Sequence, residues 1–195
     1  MDKLQHRRIS PNPEGAPFMP SHPPIPGLAG IEHIGLAVPD IDAASRFFVD
    51  VVGGEPLYDI GPFASADDWM ATHLAVHPRA SIRRMRVIRI ANGPVLELIE
   101  FAAADQRTTS PRTSDHGGWH MAFYVEDMEA ALAALKRHGV EIQSGPVEMT
   151  EGPSSGLSWL YFRSPWGQQL ELVSYPGGLA AYKTLRREVW RPRLA

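Results

Sequence analysis

The feature that most constrains this chain is an internal echo. "EHIGLAVPDIDAASRFFVDVVG" at residues 32–53 is matched by "WHMAFYVEDMEAALAALKRHGV" at residues 119–140. A shift of 87 residues lays His33 on His120, Val38 on Val125, Asp40 on Asp127, Ala43 on Ala130 and Ala44 on Ala131. Self-similarity of this kind constrains architecture before any single motif does, because each copy is then one supersecondary unit stacked on its neighbour. A second register, offset by 74, lays Gly93 on Gly167, Leu96 on Leu170, Glu97 on Glu171 and Leu98 on Leu172. The two offsets leave 13 extra residues in the first copy, placed within "GPFASADDWMATHLAVHPRA". An extra segment in one copy of a duplicated fold is a common seat of substrate selectivity.

Each copy reads β-α-β-β-β. In the first, "IEHIGLAV" is a strand, "PDIDAASRFFVDVVGG" a helix opened by acidic residues and closed by glycine, and "EPLYDI" a second strand. "IRRMRVIRI" and "VLELIEF" are two more, turned at "ANGP", where Asn-Gly is expected to supply the positive backbone angles of a tight hairpin. The second copy runs "WHMAFYV", the helix "EDMEAALAALKRHG", "VEIQSG", and a hairpin of "LSWLYF" and "QQLELVSY" joined at "RSPWG". The expected fold is α+β: two βαβββ modules, 29–105 with an insert near 62–81 and 115–175, each a sheet with its helix packed on one face. Residues 1–28 are crowded with proline and read as a flexible arm, and 176–195 as a helical tail.

Composition narrows the chemistry. A chain of 195 residues with 44% hydrophobic content can bury a real core, and a formal net charge of -3 gives no general reason to expect nucleic acid as partner. With no cysteine, any transition metal must be held by His, Asp or Glu. No signal-peptide core and no long uninterrupted apolar run are present, so a cytoplasmic protein without a membrane partner is expected.

Four polar residues stand out: His33 near Ile34 and Leu36, Glu97 between Leu96 and Leu98, His120 between Trp119 and Met121, and Glu171 between Leu170 and Leu172. Strand side chains alternate faces, so the apolar neighbours can pack on helices while the four polar groups share the opposite face. A carboxylate on a half-buried strand is costly unless it is paired or metal-bound.

The duplicated β-α-β-β-β pattern, with His on each first strand and Glu on each last, resembles the vicinal oxygen chelate superfamily, which includes glyoxalase I, methylmalonyl-CoA epimerase, extradiol dioxygenases and fosfomycin or bleomycin resistance proteins. "IEHIGLAVPDIDAA" and "SPWGQQLELV" carry most of the likeness. The resemblance implies a curved, cup-shaped mixed sheet with helices on the outer face, one divalent ion (Zn, Ni, Co, Mn or Fe) held by His33, Glu97, His120 and Glu171, and a small-molecule substrate. It also implies homodimerisation, which is common in the superfamily, and leaves open whether one chain's halves build the cup or exchange with a partner's. The activity expected is proton transfer next to a metal-chelated carbonyl, as in a glyoxalase-type isomerase, epimerase or lyase, with Glu97 or Glu171 as base. One alternative is an Fe(II) extradiol-type dioxygenase of a catechol-like substrate, using His33, His120 and Glu171 as a facial triad. Tyr161, ten residues before Glu171, fits the end of that signature, but "EGPSSGLS" lacks its histidine. The other is a drug-binding protein without catalysis.

Secondary candidates are His73 and His77, four apart in a short helix of the insert, and His116 in "SDHGGWH", which competes with His120. His138 is expected to complement a helix dipole. Arg79, Arg83, Arg84, Arg86 and Arg89 form the densest basic stretch, able to grip a carboxylate, glutathione or a CoA phosphate, or to solvate a strand edge. Phe63 and Trp69 are expected as apolar walls of a substrate site or as local core.

Overall fold

A computed structural model describes residues 25–184. Most of the proline-rich arm and the end of the helical tail lie outside the described residues. Residues 25–28, the described part of the arm, are exposed. Among the described residues no helix is long and apolar enough to cross a membrane.

The first module runs β1 (His33–Ala37), α1 (Ile41–Asp50), β2 (Glu55–Ile60), β3 (Phe63–Ala64), α2 (Trp69–Leu74), β4 (Ser81–Arg89) and β5 (Val95–Ala102). Its sheet has the order β1-β5-β4-β2, with β1 parallel to β5 and β3 added on β4. The second runs β6 (Met121–Tyr124), α3 (Met128–Arg137), β7 (Val147–Glu148), β8 (Ser158–Arg163) and β9 (Gln169–Ser174), in the order β6-β9-β8-β7. A short α4 (Ala180–Thr184) follows. The same connectivity in both copies confirms the α+β reading of two repeated units, and β3 and α2 are the extra segment of the first.

The repeated residues have a physical role. Asp40 and Asp127 sit in extended backbone and accept the N–H of Ala43 and Ala130 at 2.8 and 2.9 Å, capping α1 and α3. Gly53 and Gly139, at φ of 83° and 65°, end the two helical segments in the left-handed conformation that glycine adopts at least cost. Glu100 adds a second cap to α1, accepting the Ile41 N–H at 3.0 Å.

Two expected elements differ. "VEIQSG" forms no strand beyond a single bridge of Ile142 to Phe162, because Gly145 and Pro146 break the ladder before β7 resumes it. The β4–β5 turn takes its positive φ of 45° at Ala91 rather than at Asn92-Gly93.

One core serves both modules. Leu36, Val38, Ile88, Leu96 and Leu98 on the helix side of the first sheet join Phe47 and Phe48 of α1, and the cluster continues into Met121, Leu160, Phe162, Leu170 and Leu172 of the second sheet. Trp166 closes the junction, with ring centroids 5.8 Å from Phe47 and 5.9 Å from Phe48. Each fully buried aromatic or large aliphatic side chain here contributes about 1.5–3 kcal/mol. The helix sides of the two sheets thus face a shared interior, and the sheets themselves stay separate within the chain.

The arginines of β4 are structural. Arg86 makes a bidentate pair with Asp59, both N–O distances 2.7 Å, and reaches Asp42; Arg84 also pairs with Asp42. Arg83 holds Glu100, Arg89 holds Glu55, and Arg79 of the insert holds Asp68. The basic stretch is therefore committed to pinning α1 and β2 onto β4, and the expected grip on an anionic substrate finds no free guanidinium among these five. Arg86 holds the Asp59 carboxyl below the usual carboxylate range. A lowered native pKa stabilises fully above the unfolded pKa, near ~4, and less as pH falls through the native value. Asp59→Asn should cost about 1 kcal/mol at pH 7, after allowance for partial exposure. Urea unfolding of both proteins should show the gap closing below about pH 4.

Candidate functional site

Strand alternation delivers the four residues as the sequence suggested, each on the face opposite the core. On the first module, His33 of β1 and Glu97 of β5 share that face, with His33 Nε2 3.8 Å from Glu97 Oε2. Gly35, paired with Glu97 in register, leaves space beside it: a Cβ there would come 3.9 Å from Glu97 Oε2. On the second module, His120 immediately precedes β6 and places Nε2 3.1 Å from Glu171 Oε2 on β9. Tyr161 of β8 stands opposite Glu171 in register, its ring 5.3 Å from the His120 ring and edge-on to it.

Electrostatics distinguish the pairs. Burial pushes the Glu171 carboxyl above its ordinary pKa, and the neighbouring His120 opposes that rise. Burial, and then the Glu171 charge, raises Tyr161, so its hydroxyl keeps the proton as a donor at neutral pH. His33 is also raised, first by its hydrogen bond to Glu32 and then by Glu97. Sequence reasoning missed Glu32, whose carboxylate accepts from His33 Nδ1 at 2.5 Å. That bond fixes the ring so that Nε2 faces Glu97, the arrangement in which an outer carboxylate orients a metal-binding imidazole. The only signal was its adjacency in "EH".

The two pairs do not meet within one chain. Among the described residues no three His, Asp or Glu side chains come together as a metal site. The cause is the shared core: the helix sides of both sheets turn inward, so the faces carrying His33–Glu97 and His120–Glu171 turn away from it.

The remaining candidates fall elsewhere. His73 Nδ1 donates to the Trp69 carbonyl at 3.1 Å and the ring stacks on that of Trp69 at 4.5 Å, while His77 accepts the Arg79 N–H at 3.0 Å, so the two are not poised as a metal pair. His116 lies exposed in the turn before β6, and His138 caps the C-terminus of α3. Phe63 and Trp69 meet edge-on at 5.0 Å and stay 41% and 37% exposed, forming an apolar surface on the insert.

These features agree with known proteins. The family model described as Glyoxalase/Bleomycin resistance protein/Dioxygenase superfamily matches residues 30–172. The chain is 41% identical over 171 residues to a 2-epi-5-epi-valiolone epimerase of Actinomyces sp., covering 86% of this chain and 91% of that one. Its fold is shared with a glyoxalase/bleomycin resistance protein/dioxygenase domain from Frankia sp. (TM-score 0.53, 19% identity, 76% of this chain and 98% of that one). The glyoxalase I of Leishmania major shares it too (TM-score 0.50, 19% identity, 77% and 89%). By the match over both repeated modules, the chain belongs to the Glyoxalase/Bleomycin resistance protein/Dioxygenase superfamily.

Proposed function

We propose that the protein is a divalent-metal-dependent epimerase that inverts a stereocentre beside the carbonyl of a cyclic hydroxyketone, a reading supported by its likeness to the 2-epi-5-epi-valiolone epimerase of Actinomyces sp.. Each metal centre is assembled from two copies, with His33 and Glu97 from one and His120 and Glu171 from the other. The observation that carries this reading is the pairing: two imidazole–carboxylate pairs in repeat register, on faces that one chain keeps apart. A two-fold dimer that sets the first module's face against the second module's face generates two identical centres. Tyr58 and Ile60 lie on the His33–Glu97 face and are 56% and 49% exposed, in keeping with a surface that a second copy covers.

The donor set fits the ion. Two imidazoles and two carboxylates suit Zn, Ni, Co, Mn or Fe, and buried Glu171 carries a charge that a cation would offset. Bound there, a divalent ion supplies a Lewis acid for the substrate carbonyl oxygen.

The side chains perform the proton transfers. Inversion requires a C–H bond broken on one face of the carbon and remade on the other. Glu171, its basicity raised by burial, takes the proton while the electron pair moves into the carbonyl group. Glu97 of the other copy returns a proton from the opposite side, and the reverse reaction exchanges the two roles. Tyr161, with its hydroxyl protonated, donates to substrate beside Glu171. A facial triad for dioxygen would leave Glu97 idle although it faces His33 Nε2.

The test is solvent exchange. Metal-reconstituted protein given 2-epi-5-epi-valiolone in D2O should place deuterium on the carbon next to the carbonyl, read by NMR. Chelation should abolish the exchange, and at least one of the five ions should restore it. No exchange with any ion contradicts the proposal, and oxygen uptake with a catechol would support the dioxygenase instead.

A further inference from the structure

The His120–Glu171 face carries a second polar device. Gln169 sits two residues before Glu171 on β9, hence on the same face and about 6.6 Å along the strand. Gln143 reaches that face from the segment beside β8: its N–H donates to the Tyr161 carbonyl at 3.1 Å, and its neighbour Ile142 packs into the core on the other side. The two amides bond reciprocally, Gln143 Nε2 to Gln169 Oε1 at 2.7 Å and Gln169 Nε2 to Gln143 Oε1 at 3.3 Å. A primary amide has two N–H donors and two acceptor lone pairs, so this cyclic pairing leaves each glutamine one donor and one acceptor. Trp159 stands next along β8 with its ring 5.2 Å from Tyr161, which continues to His120 at 5.3 Å. The face therefore offers an aromatic row flanked by two neutral amides, each with donor and acceptor unspent.

This combination selects for substrate class. Hydroxyl groups donate and accept at once, so vicinal hydroxyls on a ring match amide edges, while the C–H side of the ring lies against aromatic surface. A phosphate or CoA substrate would call for a cluster of free cations, yet the arginines of β4 are paired with carboxylates, and Arg163, on this face in register with Gln169, has its buried Nε 3.5 Å from Glu141 without a hydrogen bond. We infer that the Gln143–Gln169 pair is a specificity element that reads ring hydroxyls of a neutral polyhydroxylated substrate, with the Tyr161 ring as the apolar surface beside it. The inference rests on the epimerase reading for the location of the reacting carbon, but not for the act of binding. A site that hydrogen-bonds substrate hydroxyls discriminates strongly against analogues that lack them.

Binding and turnover separate the two ideas. Calorimetry with 2-epi-5-epi-valiolone should show affinity about tenfold weaker for Gln169→Leu and for Gln143→Ala than for the unaltered protein. Cyclohexanone bearing a single hydroxyl, 2-hydroxycyclohexanone, should bind all three alike. Gln143 is exposed, so its variant is expected to fold even if Gln169→Leu does not. In solvent-exchange assays the same loss should appear in KM, with kcat little changed. Equal affinity of variants and parent for the polyhydroxylated ketone would overturn the inference, as would no binding to the parent, or equal losses for both ketones. Binding that depends on both glutamines without any deuterium exchange would uphold the inference while removing the epimerase reading.

Discussion

Glu171→Gln should lower turnover by about 10²–10⁴-fold, the range for loss of a positioned general base, while leaving the metal-free protein at least as stable as before. The stability half of this expectation comes from burial. Glu171 is 9% exposed, and desolvation raises its pKa, so the charged form is carried at a cost that an amide of the same shape removes. The activity half comes from chemistry: an amide cannot take a proton from carbon, and it is a poorer metal donor than a carboxylate. Thermal unfolding, metal content per chain and deuterium exchange on one preparation separate the effects. An unchanged or raised Tm of the metal-free variant, with lost exchange in the metal-reconstituted one, is the expected result. Near-normal exchange in the variant would remove Glu171 from the proton path.

The legible part of this molecule is what the repeat controls. Alternation along "LELIEF" and "QLELVS" placed Glu97 and Glu171 opposite the core because their leucine neighbours had to be buried, and Leu96, Leu98, Leu170 and Leu172 are buried. Asp40 and Asp127 recur because each caps a helix at the same step of the fold. What escaped is set by residues far apart in sequence. The arginines of β4 read as a free basic patch because their partners, Asp42, Asp59, Glu55 and Glu100, lie on other elements. Gln143 and Gln169 are 26 positions apart, with no charge or motif to mark them. The docking of the modules was equally hidden, since a strand pattern fixes which face is apolar and not which neighbour covers it. The same leucines serve a cup closed within one chain and a core shared back to back.

The docking of the modules decides where the proposed metal would be held, and mixed variants read it out. His33→Ala disables the first module's contribution and His120→Ala the second's, so each protein alone should bind little metal and show background exchange. When the two are unfolded together and refolded at equal amounts, half of the dimers are mixed. Each mixed dimer contains one centre with both defects and one with neither, so about a quarter of the parent's activity should return. Metal content should recover in the same proportion. Recovery to that level is the result expected of a centre shared between copies. Activity that stays at background in the refolded mixture, with dimers present, would contradict it.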